Sequence, residues 1–291
     1  MDIQIIADST CDLDPQLIKG MDLPILPLSI TIGDQNYLDG ETIHIDEIYA
    51  EMRRGVVPKT AQIPFERTYQ LFRQCLENGK DVIYVSFSST LSGCFALARM
   101  VADELQPDFP NRNIAVLDSK GGSGATGIIV LQALKMAMAG LNFATVKGEI
   151  QQMADHIEHV FSVDDLEWLA KGGRIPKLVG ALGSKLGIRP ILEVDKGNMV
   201  VKKMIRGKKK AIQAIADKII MKAENFPSQL IAIAHADDLP AAKALEELIH
   251  KSLPECVTTL YHIGGVLGVH LGLKGIGAFC LNQKPEHYVR V

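Results

Sequence analysis

The stretch from Val82 to Gly93 reads VIYVSFSSTLSG, a short apolar run followed at once by Ser86, Ser88, Ser89, Thr90 and Ser92. The run is rich in β-branched residues, as a buried parallel strand requires. Cys94 to Leu105 behind it has helical spacing. Ser92 and Gly93 therefore fall at a helix start, where free backbone N–H groups and the helix dipole favour an anion. The chemistry suited to such a loop is recognition of an oxyanion by neutral donors. An ordinary serine N-cap leaves the same signature. Five hydroxyls packed between positions 86 and 92 set a binding loop level with a simple cap.

Other residues admit other chemistry. The segment Gly121 to Gly127 (GGSGATG) is glycine-rich, but it contains neither GxGxxG nor GxxxxGK[ST], so nucleotide binding is not indicated. Ser92 with His270 and an aspartate such as Asp8 or Asp118 would suit a serine hydrolase of small esters, although Leu91 and Gly93 do not form a GxSxG elbow. His270 lies among Gly264, Gly265, Gly268, Gly272, Gly275 and Gly277, a pattern that calls for close backbone approach. Lys202 to Lys210 holds six cations in nine residues. A solvated helix start explains such a run, and a docking patch is the alternative. Arg206, at the end of a predicted strand, and Arg174, after Gly172 and Gly173, are suited to meet a carboxylate or phosphate in bidentate fashion.

These residues need a scaffold, and the chain of 291 residues is long enough for two domains with a cleft between them. The formal charge of -3 is nearly balanced, which argues against nucleic acid as a partner. Cys11, Cys75, Cys94, Cys256 and Cys280 are odd in number and lack CxxC spacing, so neither a disulfide frame nor a zinc site is expected, and a reduced, cytoplasmic setting is. MDIQIIADST is not a signal peptide, and Gly127 to Leu141 is too short to span a bilayer.

Strands are predicted at Ile3 to Ala7, Ile25 to Ile32, Val82 to Val85 and Ile114 to Leu117. Short helices are predicted after Asp14-Pro15 and at Asp46 to Arg54, and longer ones over Pro64 to Asn78, Gly122 to Ala139 and Asn142 to Glu158. Lys59 to Gln62 reads as a polar loop. This alternation is that of a parallel α/β sheet, whose ligands sit at the carboxyl ends of the strands. The pattern changes near His159. Beyond it come short helices at Leu166 to Gly173 and Leu178 to Leu186, then a hairpin from Ile188 to Val194 and Met199 to Ile205. Helices at Lys209 to Asn225 and Leu239 to Lys251 alternate with strands at Leu230 to Ala234 and Val257 to Ile263. The expected fold class is thus α/β in two domains, a parallel α/β/α domain over residues 1–158 and a mixed-sheet α/β domain over 159–291.

Eight blocks, in order, resemble the DegV family. They are IIADSTCDL at Ile5 to Leu13, KTAQIP at Lys59 to Pro64, VSFSSTLSG at Val85 to Gly93, VLDSKGGSGATG at Val116 to Gly127, LEWLAKGGRIPK at Leu166 to Lys177, GIRPILEVDKG at Gly187 to Gly197, KKMIRGKKKA at Lys202 to Ala211, and the glycine region around His270. The resemblance implies a fatty acid buried between two domains, with Thr60, Ser92, His270 and the amide of Gly93 at its carboxylate. It also implies that the chain is not itself an enzyme. A separate fatty acid kinase catalytic subunit would phosphorylate the bound carboxylate, meeting this chain through Arg174, Arg206 and Lys208. The bound fatty acid is the expected ligand, with no further cofactor or metal; a monomer that touches a membrane surface only transiently is expected. Two positions depart from the family pattern. Ala61 replaces the serine of its TSQ motif, and Leu273 and Lys274 replace the proline and second glycine of its HxGPG turn.

Overall fold

The computed structural model describes residues 2–164, 166–176 and 187–291. Its first sheet is parallel and built from β1 (Ile3–Asp8), β2 (Ile25–Leu26), β6 (Asp81–Ser86) and β7 (Ile114–Asp118) in the order β2-β1-β6-β7. Every residue of β1 is buried, which is why its sequence is apolar without alternation. The strand expected from Ile25 to Ile32 is in fact two. Pro27 has no N–H for a ladder, so the chain leaves the parallel sheet there. Its second half, β3 (Ser29–Ile32), pairs antiparallel with β4 (Gln35–Leu38) and β5 (Lys59–Ala61). The polar loop expected at Lys59 to Gln62 is therefore largely a strand, and Thr60 stands opposite Ile30.

No helix follows Asp14-Pro15. Turns occupy residues 15–20, a stretch too short to offset helix nucleation, and Asp14 is drawn to Thr259, whose Oγ1 donates to it at 2.9 Å. The other helices of the first half are α1 (Ile45–Arg53), α2 (Phe65–Glu77), α3 (Cys94–Leu105), α4 (Ser123–Met138) and α5 (Phe143–His156). Helix α4 is buried on nearly all sides and touches strands of both large sheets. Its glycines serve packing, for Gly124 faces Tyr261 and Gly127 faces the Cys11 and Asp12 carbonyls.

The second large sheet is mixed, in the order β10-β9-β8-β13-β11-β12, from β8 (Ile157–Ser162), β9 (Ile188–Asp195), β10 (Asn198–Arg206), β11 (Leu230–His235), β12 (Val257–His262) and β13 (Ile276–Leu281). The hairpin β9–β10 is as expected. Strand β13 is not foreshadowed by its glycine-rich surroundings, yet it sits mid-sheet, antiparallel to β8 and β11. Helices α6 (Glu167–Lys171), α7 (Lys208–Lys222), α8 (Leu239–Ser252) and α9 (Gly265–Leu271) complete the described elements. The helix expected at Leu178 to Leu186 lies outside the described residues. None of the described helices is long and apolar enough to cross a membrane.

Helix α9 joins the two large sheets' cores. Asp12 accepts the Gly264 N–H at 2.9 Å and Asp39 that of Val266 at 3.4 Å, so carboxyl groups from the first half take up the free amides at the start of the helix. Gly268 lies on the Tyr49 ring, where a Cβ would fall 2.6 Å from Cε1. After the helix, Gly272 and Lys274 both take positive φ, 74° and 63°, and the turn is pinned by Lys274 N–H to the Ala236 carbonyl at 2.6 Å. Lys274 thus holds by itself the left-handed backbone for which the family pattern supplies glycine. Its ammonium points outward, 3.8 Å from Asp164. Lys274→Gly should stabilise the chain by up to about 1 kcal/mol, because relief of a left-handed penalty of roughly 1–2 kcal/mol outweighs glycine's greater freedom when unfolded. Denaturant unfolding checks this, and a destabilised variant would show that the turn carries no strain.

Candidate functional site

The serine-rich loop is held mainly from beneath. Asp8, at the end of β1, is buried and accepts from Tyr84 Oη at 2.7 Å, Phe87 N–H at 2.9 Å and Thr10 N–H at 3.0 Å. Asp118, at the end of β7, accepts from Ser89 N–H at 3.2 Å and Lys120 N–H at 2.8 Å. Ser88 and Thr90 donate their hydroxyls to the Gly197 carbonyl at 2.9 and 2.6 Å, which clamps the β9–β10 hairpin tip onto the loop. Ser86 donates to the Phe87 carbonyl. Ser89 donates its hydroxyl to Asp118 at 2.5 Å, so four of the five hydroxyls are spent on the loop and its neighbours, and Ser92 alone reaches the cavity beside it. Ser92 Oγ also accepts from Cys94 N–H at 3.3 Å, so it takes up the first amide of α3, just ahead of the Gly93 N-cap, while facing that cavity.

The cavity measures about 400 Å³ and lies between the two halves of the chain. Its polar wall is Thr60 and Gln62 from the small sheet, Ser92 and Gly93 from the start of α3, His270 from the last turn of α9, and Arg174. Thr60, Ser92, Gly93 and His270, the expected headgroup residues, are therefore assembled in one place. Gln62 joins them, packed so closely on Gly93 that a Cβ there would collide with its amide. Thr60 Oγ1 and His270 Nε2 are 2.7 Å apart. The other ring nitrogen, Nδ1, is buried without a partner and lies against the Cα of Gly172. Burial, aided by the Arg174 charge, pushes the His270 imidazole down to about 4, so it is neutral near pH 7.

Arg174 was expected on a docking surface, but the structure places it in the cavity wall. It donates Nε–H to the Leu91 carbonyl at 3.3 Å and Nη1–H to that of Gly172. Burial pulls its pKa down, and it has no carboxylate partner among the described residues. The spacing of residues gave little sign of this, because Arg174 reaches the cavity only through the packing of α6 against α9. Among the described residues the polar wall is thus a set of neutral donors plus one cation.

Arg206 and Lys208 lie elsewhere. Arg206 is exposed at the end of β10, eight residues beyond Asn198, which places it roughly 25 Å along the strand from the hairpin tip near Arg174. Lys208 is ion-paired with the buried Asp238 at 2.6 Å. The three basic residues do not form one patch.

Nor does the triad of the alternative hydrolase reading assemble. His270 engages Thr60 and not Ser92, Asp8 is occupied by Thr10, Tyr84 and Phe87, and Asp118 by Ser89 and Lys120. Behind the polar wall, Phe87, Met199, Leu267 and Leu271 are shared with a narrower apolar cavity. It runs on past Phe161, Val194 and Phe279. A polar pocket carrying one positive charge opens onto an apolar passage, an arrangement suited to an amphipathic anion.

Residues 2–283 match the family described as "Uncharacterised protein, DegV family". A DegV domain-containing protein of Clostridium perfringens is 33% identical over 287 residues, spanning 97% of this chain and 99% of the relative. Among solved structures, a fatty-acid-binding DegV family protein from Thermus thermophilus superposes with a TM-score of 0.87 at 29% identity, over 96% of this chain and 99% of the other. A stearic-acid-binding protein from Eubacterium ventriosum does so with a TM-score of 0.85 at 26% identity, over 95% and 97%.

Because the guanidinium and the imidazole face the same cavity, Arg174→Met should raise the midpoint of His270 above about 4. Titration of the imidazole resonances by NMR measures it. An unmoved midpoint would mean that the two side chains do not share an electrostatic environment.

Proposed function

The chain belongs to the DegV family, and on that premise we propose that it binds a long-chain fatty acid and presents the carboxylate to a separate kinase subunit. The carboxylate sits among Thr60, Ser92, the Gly93 amide, His270 and Arg174, and the acyl chain occupies the apolar passage. The observation that carries this reading is the join between the two cavities, where donors end and an apolar wall begins. Fatty acids bound by the Thermus thermophilus and Eubacterium ventriosum proteins support it. On this reading residues 1–158 supply the headgroup loops and residues 159–291 complete the pocket.

Binding energy divides unevenly along such a ligand. Each buried methylene contributes roughly 0.8 kcal/mol, so the tail holds the molecule while the donors orient its head. A neutral imidazole leaves Arg174 as the only cation at the carboxylate among the described residues, which is enough to balance its charge without clamping it between two ions. The partner kinase transfers the terminal phosphoryl group of ATP to a carboxylate oxygen, giving an acyl phosphate and ADP; this chain contributes position. Arg206, exposed and far from the cavity, serves the encounter with that partner, while Lys208 is held by Asp238.

Mass spectrometry of the protein purified without added lipid, before and after solvent extraction, tests the ligand. A stoichiometric long-chain fatty acid is expected, and a cavity that stays empty when fatty acids are offered would refute the reading. Thr60→Ala and Ser92→Ala should each lower acyl phosphate formation about fivefold, the worth of roughly 1 kcal/mol of hydrogen bond, with lipid retention nearly unchanged. Turnover and retention both equal to the unaltered protein would remove these residues from the headgroup site.

A further inference from the structure

The apolar passage has one imidazole in its wall. Its polar side chains are Ser123, His159 and Ser162. Ser123 Oγ is committed to Asp12 at 2.7 Å, and Ser162 Oγ turns back toward the Val163 carbonyl at 3.5 Å. His159, on β8, is 3% exposed, and neither of its ring nitrogens has a hydrogen-bond partner in the protein. Burial pushes the ring down to about 4, so it is neutral, with one N–H donor and one bare acceptor.

The ring is also held in place. It stands edge-on to Phe279 at 5.6 Å with an interplanar angle of 89°. Its Nε2 lies on the Cα of Gly121, where any side chain would collide with it. Gly122, the next residue, clears the Phe87 ring, with a Cβ there falling 2.5 Å from Cε2. Gly121 makes room for the imidazole at the side of the passage, and Gly122 for the Phe87 ring. Native proteins rarely leave both nitrogens of a buried histidine unpaired, and a saturated acyl chain would offer neither of them a partner.

We propose that the fatty acid this protein prefers carries a hydroxyl group on its acyl chain, and that His159 is the residue that reads it. The inference rests on the fatty-acid reading given above. A hydroxyl donates and accepts, so it satisfies the neutral ring in either tautomer. A cis double bond offers only a weak acceptor face. The specificity comes from the asymmetry of buried polar groups, since a chain without the hydroxyl leaves the imidazole desolvated and unpaired.

The test is displacement of a fluorescent fatty acid from the full chain by stearic acid, oleic acid and a panel of hydroxystearic acids that differ in the position of the hydroxyl. At least one hydroxystearic acid should bind about tenfold more tightly than stearic acid. His159→Phe should abolish that gap, bringing the hydroxystearic acids to within about threefold of stearic acid on the same variant. Stearic acid bound as tightly as every hydroxystearic acid, or a preference that survives His159→Phe, would overturn the proposal and leave the fatty-acid reading standing. A preference for oleic acid that disappears with His159→Phe would assign the ring to a double bond and overturn the hydroxyl. Failure of every chain to bind would overturn the fatty-acid reading and this proposal together. Should His159→Phe not fold, the imidazole nitrogen resonances of the unaltered protein decide the matter. They should shift on adding the preferred hydroxystearic acid and not stearic acid, and equal responses to both would overturn the proposal.

Discussion

The cavity depends on how closely one short helix approaches the first half of the chain. Gly265–Leu271 can lie against Tyr49, Ile48 and Asp39 only because Gly265 and Gly268 present no side chain there. Tyr49 then reaches the Ile263 carbonyl with its hydroxyl at 3.0 Å. The helix ends on Gly272, whose Cα faces the Trp168 ring. This approach brings His270, a residue of the second half, to 2.7 Å from Thr60, a residue of the first. Larger residues at 265 and 268 would lift the helix and part those two groups. The glycines' conformational cost is offset by the apolar surface that α9 buries: Val266, Leu267 and Val269 all belong to the core shared with β1 and α4.

Buried carboxylates govern the same region. Asp8, Asp12 and Asp39 are each raised above the usual carboxylate range by burial, Asp12 to about 8, and each answers with N–H or O–H donors from a different loop. Asp8 fixes Phe87 at the start of the serine loop, while Asp12 ties Gly264 to Ser123 at the start of α4. The aspartates of the ADSTCD stretch thus act as anchors for backbone. Their placement beneath the strand ends leaves hydroxyl, amide and guanidinium donors to face the cavity, as recognition of an anion requires.

Much of this was legible from residue order, and the exceptions share a cause. The parallel strands, the β9–β10 hairpin and the helices of both halves announce themselves by local periodicity. So does the helix start at Ser92 and Gly93. The four headgroup residues came from resemblance to a family, and Thr60 and His270, which lie 210 positions apart in sequence, show why. No local pattern links them. The split at Pro27 was visible in the residue itself, but not that the chain would change sheets there. Strand β13 was hidden because Gly275 and Gly277 lower its strand propensity, and its place between β8 and β11 is settled by pairing with strands distant in sequence. The place of Arg174 in the cavity wall was hidden for the same reason, since it is set by the neighbours its loop meets. The serine-rich loop was over-read in the opposite direction. A dense run of hydroxyls signals hydrogen bonding, but not whether the partner is a ligand or, as for Ser88 and Thr90, a hairpin tip.

The electrostatics of the cavity follow from its depth. A buried imidazolium beside a half-buried guanidinium would add repulsion to the cost of desolvation, so the pair resolves itself by leaving His270 neutral and Arg174 charged. An incoming carboxylate therefore meets one positive charge and a ring of dipoles. The charge lowers the cost of taking an anion out of water, and the dipoles choose its orientation. Farther in, the walls turn apolar and His159 stands without charge or partner. The two histidines face opposite ends of one continuous gradient, and each is neutral for the same reason. What separates them is company. His270 already shares a hydrogen bond with Thr60, so a ligand's head can only rearrange that contact, whereas His159 has nothing to give up and gains from any polar atom the ligand brings.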